Sequence, residues 1–264
     1  MRRRPSPFAP EHDRLYALLH TAAETIGKYH AYRAFGIERI PTEGPCLLVF
    51  NHSFATYDMF LLAAEIFQNT GRVMRPLGDR LIFKTPGIKD FANAIGVVEG
   101  NMDNASELLQ AGNLVAVAPG GMFEAIRPSE ERYEIRWDQR KGFCRLAMDA
   151  QSPVILAACP AADDLYTLYS NPFTEALYHK FRVPLPMLRG VGMSFLPRPV
   201  QLTHELAGPF VPPEWTNDTA EDEALLMRFH NTCIQEMEEL MRMAASHHHL
   251  PYKDNWENRP STKR

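Results

Sequence analysis

Apolar and polar positions along this chain follow two alternating rhythms, short continuous apolar runs and longer stretches with helical spacing. Cys46-Leu47-Leu48-Val49-Phe50 follows a Pro-Thr-Glu-Gly-Pro turn and predicts a short buried strand. A helix is expected from Met59 to Phe67, with Thr56 as its N-cap and Asp58 in its first turn. Further on, Arg72 to Leu77 reads as a strand, and Arg80 to Phe91 as two short helical pieces broken at Pro86-Gly87. Ile95 to Val98 is a short strand candidate, Met102 to Gln110 a helix stopped at Gly112, and Leu114 to Ala118 a buried strand. Residues 127–139 are charged and irregular, with Tyr133 and Trp137 as packing anchors. Lys141 to Ala150 is again helical and Pro153 to Ala158 a strand. This alternation predicts an α/β domain with a largely parallel or mixed central sheet flanked by helices.

The two ends extend the pattern. From Glu11 to Phe35, Leu15, Leu18, Leu19, Ala22, Ile26 and Tyr29 recur at spacings of three and four, which predicts an N-terminal amphipathic helix. Pro184 to Pro199 is rich in Pro and Gly and reads as a loop or edge segment, with Gln201 to Leu206 as a last strand. A C-terminal helix follows over Ala220 to Ala245, with Leu226, Phe229, Cys233, Met237, Leu240 and Met241 on one packing stripe. The expected organisation is a basic, disordered stretch over 1–10, the helix over 11–35, one domain over 36–246 and a polar tail over 247–264.

Composition narrows the function. The chain has 264 residues, 45% hydrophobic and 23% charged, which is ordinary for a globular domain. A net charge of −4 and a pI near 6.2 argue against a nucleic-acid partner. Positive charge is local, at Arg2-Arg3-Arg4 and at Arg140-Lys141. Cys46, Cys144, Cys159 and Cys233 stand apart in apolar surroundings, as free thiols of a reducing compartment do. No apolar run reaches the roughly 18 residues of a spanning helix, and no signal-peptide core follows the arginines. These features predict a cytoplasmic protein, soluble or peripheral on a membrane. His247-His248-His249 reads as an exposed tail rather than a metal site, so no metal is expected.

Candidate chemistry gathers at three predicted strand ends or turns. Asn51 and His52 follow the first strand, where ligands collect in open α/β sheets, and Asp58 opens the next helix. A carboxylate on one imidazole nitrogen would fix the tautomer and leave the other nitrogen as a general base. Pro119-Gly120-Gly121 ends the second of these strands, with Glu124 just beyond; its glycines let backbone N–H groups approach a ligand. Arg140-Lys141-Gly142-Phe143 precedes a helix and supplies cations for an anionic group.

Over roughly residues 40 to 210, these blocks resemble the glycerolipid acyltransferase superfamily, which includes the glycerol-phosphate and lysophospholipid acyltransferases. Asn51, His52 and Asp58 match the family's first block, although five residues separate His52 from Asp58, one more than usual. Ala118-Pro119-Gly120-Gly121 stands where the family has Pro-Glu-Gly, so Gly120 replaces an acid and Glu124 comes later. The second block's usual arginine is missing, and Pro153-Val154-Ile155-Leu156 matches the fourth. The stretch from Pro119 to Ala125 with Arg140 to Phe143 looks most like the diacylglycerol and monoacylglycerol acyltransferase branch, which uses neutral acceptors.

The resemblance implies transfer of a fatty acyl group from acyl-CoA or acyl-carrier protein to the hydroxyl of a lysophospholipid or acylglycerol. His52 would be the base and Asp58 its orienter. Asn51, Gly120, Gly121, Glu124, Arg140 and Lys141 would bind substrate, and no cofactor is implied beyond the acyl thioester. A thioesterase or lipid hydrolase using the same pair, or a non-catalytic lipid-binding protein, fits the same residues. The expected partners are the acyl donor, the lipid acceptor and the inner face of a membrane, reached through residues 1–35. Acceptor, acyl length, donor carrier and oligomeric state stay open.

Overall fold

The computed structural model describes residues 13–84, 87–137, 139–169, 187–216 and 218–246. The expected disordered start, Arg2-Arg3-Arg4 and the polar tail with its three histidines lie outside these residues. Two short helical pieces are present, but Pro86, read as part of the break between them, also lies outside.

A seven-stranded sheet forms the centre, in the order β1-β9-β6-β2-β5-β3-β4. Its middle is β6 (Val154–Ala158), β2 (Cys46–Phe50) and β5 (Leu114–Val117), all parallel, continued by β3 (Met74–Gly78) and the short β4 (Val98–Glu99). On the other side β9 (Thr203–Phe210) runs antiparallel to β6, and β1 (Arg33–Phe35) runs parallel to β9. The sheet is therefore mixed, as expected. Strands β7 (Thr167–Tyr169) and β8 (Met187–Arg189) pair antiparallel in a separate two-stranded sheet.

The apolar run of β2 is explained by burial on both faces. Leu47 and Val49 join a core with Trp137, Leu146 and the stripe Leu226, Cys233, Met237 and Met241 of the long C-terminal helix. Cys46, Leu48 and Phe50 join an opposite core with Met59, Leu62 and Ile66. Helices are α1 (Asp13–Tyr29), α2 (Tyr57–Thr70), α3 (Arg80–Lys84), α4 (Ile88–Ala94), α5 (Met102–Gln110), α6 (Gly121–Ala125), α7 (Gly142–Ala150) and α8 (Thr219–Ser246). Tyr133 and Trp137 are buried anchors, as read from the sequence.

Two expectations change. The N-terminal helix stops at Tyr29, and residues 33–35 are strand instead, because pairing with β9 satisfies their backbone. The last part of α1 also packs on the body, with Ala23 and Ile26 against a core of Leu61, Leu165 and Leu202. Among the described residues no helix is long and apolar enough to cross a membrane.

Candidate active site

The C-terminal ends of β2, β5 and β6 lie side by side, so the segments leaving them converge. Asn51 leaves β2 buried, and its amide is spent on structure: Oδ1 accepts the Cys159 N–H at 2.8 Å and Nδ2 donates to the Cys159 carbonyl at 3.4 Å. It ties the end of β2 to the end of β6.

His52 comes next and lines a cavity of about 1130 Å³. Its ring Nδ1 lies 2.9 Å from the Ser53 carbonyl and 3.3 Å from Thr56 Oγ1. Since a carbonyl only accepts, Nδ1 carries the proton and Nε2 keeps its lone pair. Burial holds the imidazole pKa below its ordinary value, overriding the opposing pull of the Ser53 carbonyl and of Asp58. The ring is thus a neutral base at neutral pH.

Asp58 does not bond the His52 ring. Its Oδ1 accepts the Ser53 hydroxyl at 2.7 Å, and its Oδ2 faces His204 Nε2 at 3.3 Å. His204 in turn meets the Tyr32 hydroxyl through Nδ1 at 3.0 Å. With the extra residue between them, Asp58 acts on His52 at one remove, by fixing Ser53, whose carbonyl orients the imidazole. Thr56 precedes α2 in left-handed backbone, φ 52°, and makes no side-chain cap; its hydroxyl turns to His52 instead.

Glu124 grips the same main chain. Fully buried on α6, it accepts the His52 N–H on Oε1 at 2.7 Å and the Arg136 N–H on Oε2 at 3.1 Å. Burial pushes its carboxyl up to about 7, against the pull of Arg127 and of both N–H donors. A Cβ at Gly120 would stand 1.8 Å from the Glu124 carboxylate, so this close approach requires glycine there. Arg127 completes the bracket: its Nη1 donates to the His52 carbonyl at 3.0 Å, and its Nη2 pairs with Asp163. Arg127 and Asp163 were not singled out in the sequence, where a lone charge reads the same whether solvated or buried. Glu124, expected to contact substrate, spends its carboxylate on main-chain N–H groups and does not line the cavity.

The other predicted contacts divide. Gly121 and Arg140 line the cavity. Gly121 spends its N–H on the Ala118 carbonyl at 3.1 Å, so that donor is not free for an oxyanion. Arg140 Nη1 donates to the Pro119 and Gly120 carbonyls. Lys141 points elsewhere, pairing with Glu223 of α8 at 2.9 Å, and does not line the cavity.

Most of the remaining wall is apolar, including Phe50, Met59, Phe67, Ile82, Ile95, Val97, Phe143 and Leu146, with Asp79 and Asn101 as polar exceptions. Such a chamber beside a neutral imidazole suits a long hydrocarbon. Among the described residues, Asp58, Cys159 and His204 are the one group whose donor atoms converge closely enough for a metal, within 4.8 Å of one another. Asp58 and His204 are engaged with each other, and burial drives the Cys159 thiol well above its ordinary value. The set fits a hydrogen-bonded network better than a metal.

The fold and site define an open mixed α/β sheet with a strand-end histidine beside a largely apolar cavity. Residues 32–159 match the family model described as Acyltransferase. The chain is 36% identical over 163 residues to a bovine protein named "DGAT1/2-independent enzyme synthesizing storage lipids", covering 61% of this chain and 48% of that one. The human protein of that name is 34% identical over 163 residues, covering 61% and 50%. An uncharacterized Mycobacterium tuberculosis protein is 26% identical over 172 residues, covering 61% and 48%. The chain thus spans about half the length of the curated relatives it matches. The crystal structure of the 1-acyl-sn-glycerophosphate acyltransferase PlsC from Thermotoga maritima shares the fold, with TM-score 0.52 and 15% identity over 87% of this chain and 81% of that one. Over residues 32–159 the chain is similar to the Acyltransferase family, and its fold is similar to that of the Thermotoga structure.

Proposed function

We propose that this protein transfers a fatty acyl group from an acyl thioester, acyl-CoA or acyl-carrier protein, to the hydroxyl of a lysophospholipid or acylglycerol. The observation that carries this reading is the neutral imidazole of His52, held at its main chain and set in the wall of an apolar cavity of about 1130 Å³. His52 Nε2 takes the proton of the acceptor hydroxyl as its oxygen bonds to the thioester carbonyl carbon. The tetrahedral intermediate expels the thiolate as the C–S bond breaks, and the imidazolium returns its proton to that sulfur. Ester and thiol leave, and no acyl-enzyme is formed. Arg140, on the cavity wall, is the contact for an anionic headgroup or for the donor's phosphates.

The test is mass spectrometry of lipids formed by purified protein from mixed acyl-CoAs and a panel of lysolipids and mono- and diacylglycerols. His52→Ala is expected to cut ester formation by ~10²–10⁴ with the fold retained. Activity within twofold of the parent would remove His52 from the mechanism. Free fatty acid released without any acceptor would replace transfer by hydrolysis.

A further inference from the structure

Several of the most exposed apolar side chains sit on segments that enter or leave one end of the sheet. Because β9 runs antiparallel to β6, the loop before β9 lies at the end where His52 sits. That loop carries Met193, 91% exposed, Phe195, 77% exposed, and Leu196, 57% exposed. Across the sheet, α3 and α4 leave the same end of β3, and α4 shows Ile88, 52% exposed, and Phe91, 61% exposed. By the strand order, the two patches stand on either side of His52.

The loop is built for an apolar surrounding. Residues 190–197 carry no charge, and four of their seven backbone N–H groups bond within the loop. Gly190 N–H donates to the Ser194 carbonyl, Val191 N–H to the Leu196 carbonyl, Ser194 N–H and Oγ–H to the Val191 carbonyl, and Leu196 N–H to Ser194 Oγ. Ser194 is the one polar side chain among them, and its hydroxyl is spent on the Val191 carbonyl. The loop's base is fixed as well. Tyr29 at the end of α1 donates to the Pro197 carbonyl at 2.8 Å, and Arg198 braces Asp164, Thr167 and Arg189. Arg189 is exposed beside this base and is a cation available to lipid phosphates.

We infer that this end of the sheet docks on a lipid bilayer, with the 191–196 loop and α4 as two apolar feet and the His52 cavity between them. The inference rests on the reading above in one respect: a lipid substrate would reach the cavity from that bilayer. A bilayer is favoured over a protein partner because the loop offers no charged side chain and no free polar side chain for specific contacts, while the exposed Arg189 stands at its base for lipid phosphates.

The four native cysteines are all buried, so Met193→Cys and Phe91→Cys each accept an environment-sensitive fluorophore selectively. With vesicles of phosphatidylcholine and phosphatidylserine, both labels are expected to shift to the blue and to be quenched several-fold by brominated acyl chains. Labels unaffected by vesicles, or protected by self-association without lipid, would overturn the proposal. The paired variant Met193→Asp/Phe195→Asp is expected to lose at least tenfold in vesicle binding. It should keep transfer measured with short-chain, monodisperse substrates. Equal vesicle binding by parent and variant would also overturn it. If the parent fails to transfer in the monodisperse assay while the labels still enter the bilayer, the acyltransferase reading falls and the docking surface stands.

Discussion

The Asp58 carboxylate receives two donors, the Ser53 hydroxyl and His204 Nε2, and neither is the imidazole it was expected to orient. An amide in its place keeps one acceptor and turns an N–H towards the other donor. Asp58→Asn is therefore expected to lower stability by on the order of 1–3 kcal/mol, because the clash of donors is buried. Turnover should fall together with melting temperature, since Ser53 loses the partner that sets its carbonyl against His52. Thermal melts and kcat measured on the same preparation check this; unchanged values of both would free Asp58 from the site. Asn51, His52 and Asp58 were legible because polar residues interrupt an apolar run. Arg127, Asp163 and His204 were not, because their partners are close only after β2, β6 and β9 have paired.

At the scale of elements, α5 matches its sequence reading residue for residue, since local chemistry sets both ends. Asn101 Oδ1 accepts the Asn104 N–H at 2.8 Å, and Gly112 takes left-handed backbone just beyond its last turn. Strand β1 escaped notice because three residues are too few for a period, and only pairing with β9 makes them a strand. The segment that brings Ile82, Ile95 and Val97 to the cavity, its roof, is a third case. Helix α3 buries none of its residues and α4 buries only Ala92, so little packing holds them down. Amide exchange is expected to be fastest there among the described helices and slowest in β2 and β6, with opening free energy rising with burial. A bound long-chain acyl thioester should slow exchange across Arg80–Ala94. Exchange in this roof as slow as in β6, without ligand, would show it to be rigid.

For the molecule as a whole, the family match ends at residue 159, whereas the fold does not. Strand β9 covers the edge of β6, and α8 lays Leu226, Met237 and Met241 over one sheet face. A chain truncated at 159 would expose β6, apolar on both sides, as a free edge. It is expected to aggregate or to bind a hydrophobic dye with little near-ultraviolet dichroism. A soluble, cooperatively melting fragment would show that the remainder is an accessory. The way His52 is held has a further consequence. Glu124 and Arg127 grip its main chain, while the hydrocarbon chamber is walled largely by other segments. If the proposed transfer holds, drift in the roof would change which fats are accepted while the proton-transfer step stays as it is, so descendants of this sequence would be free to diverge in diet before they diverge in chemistry.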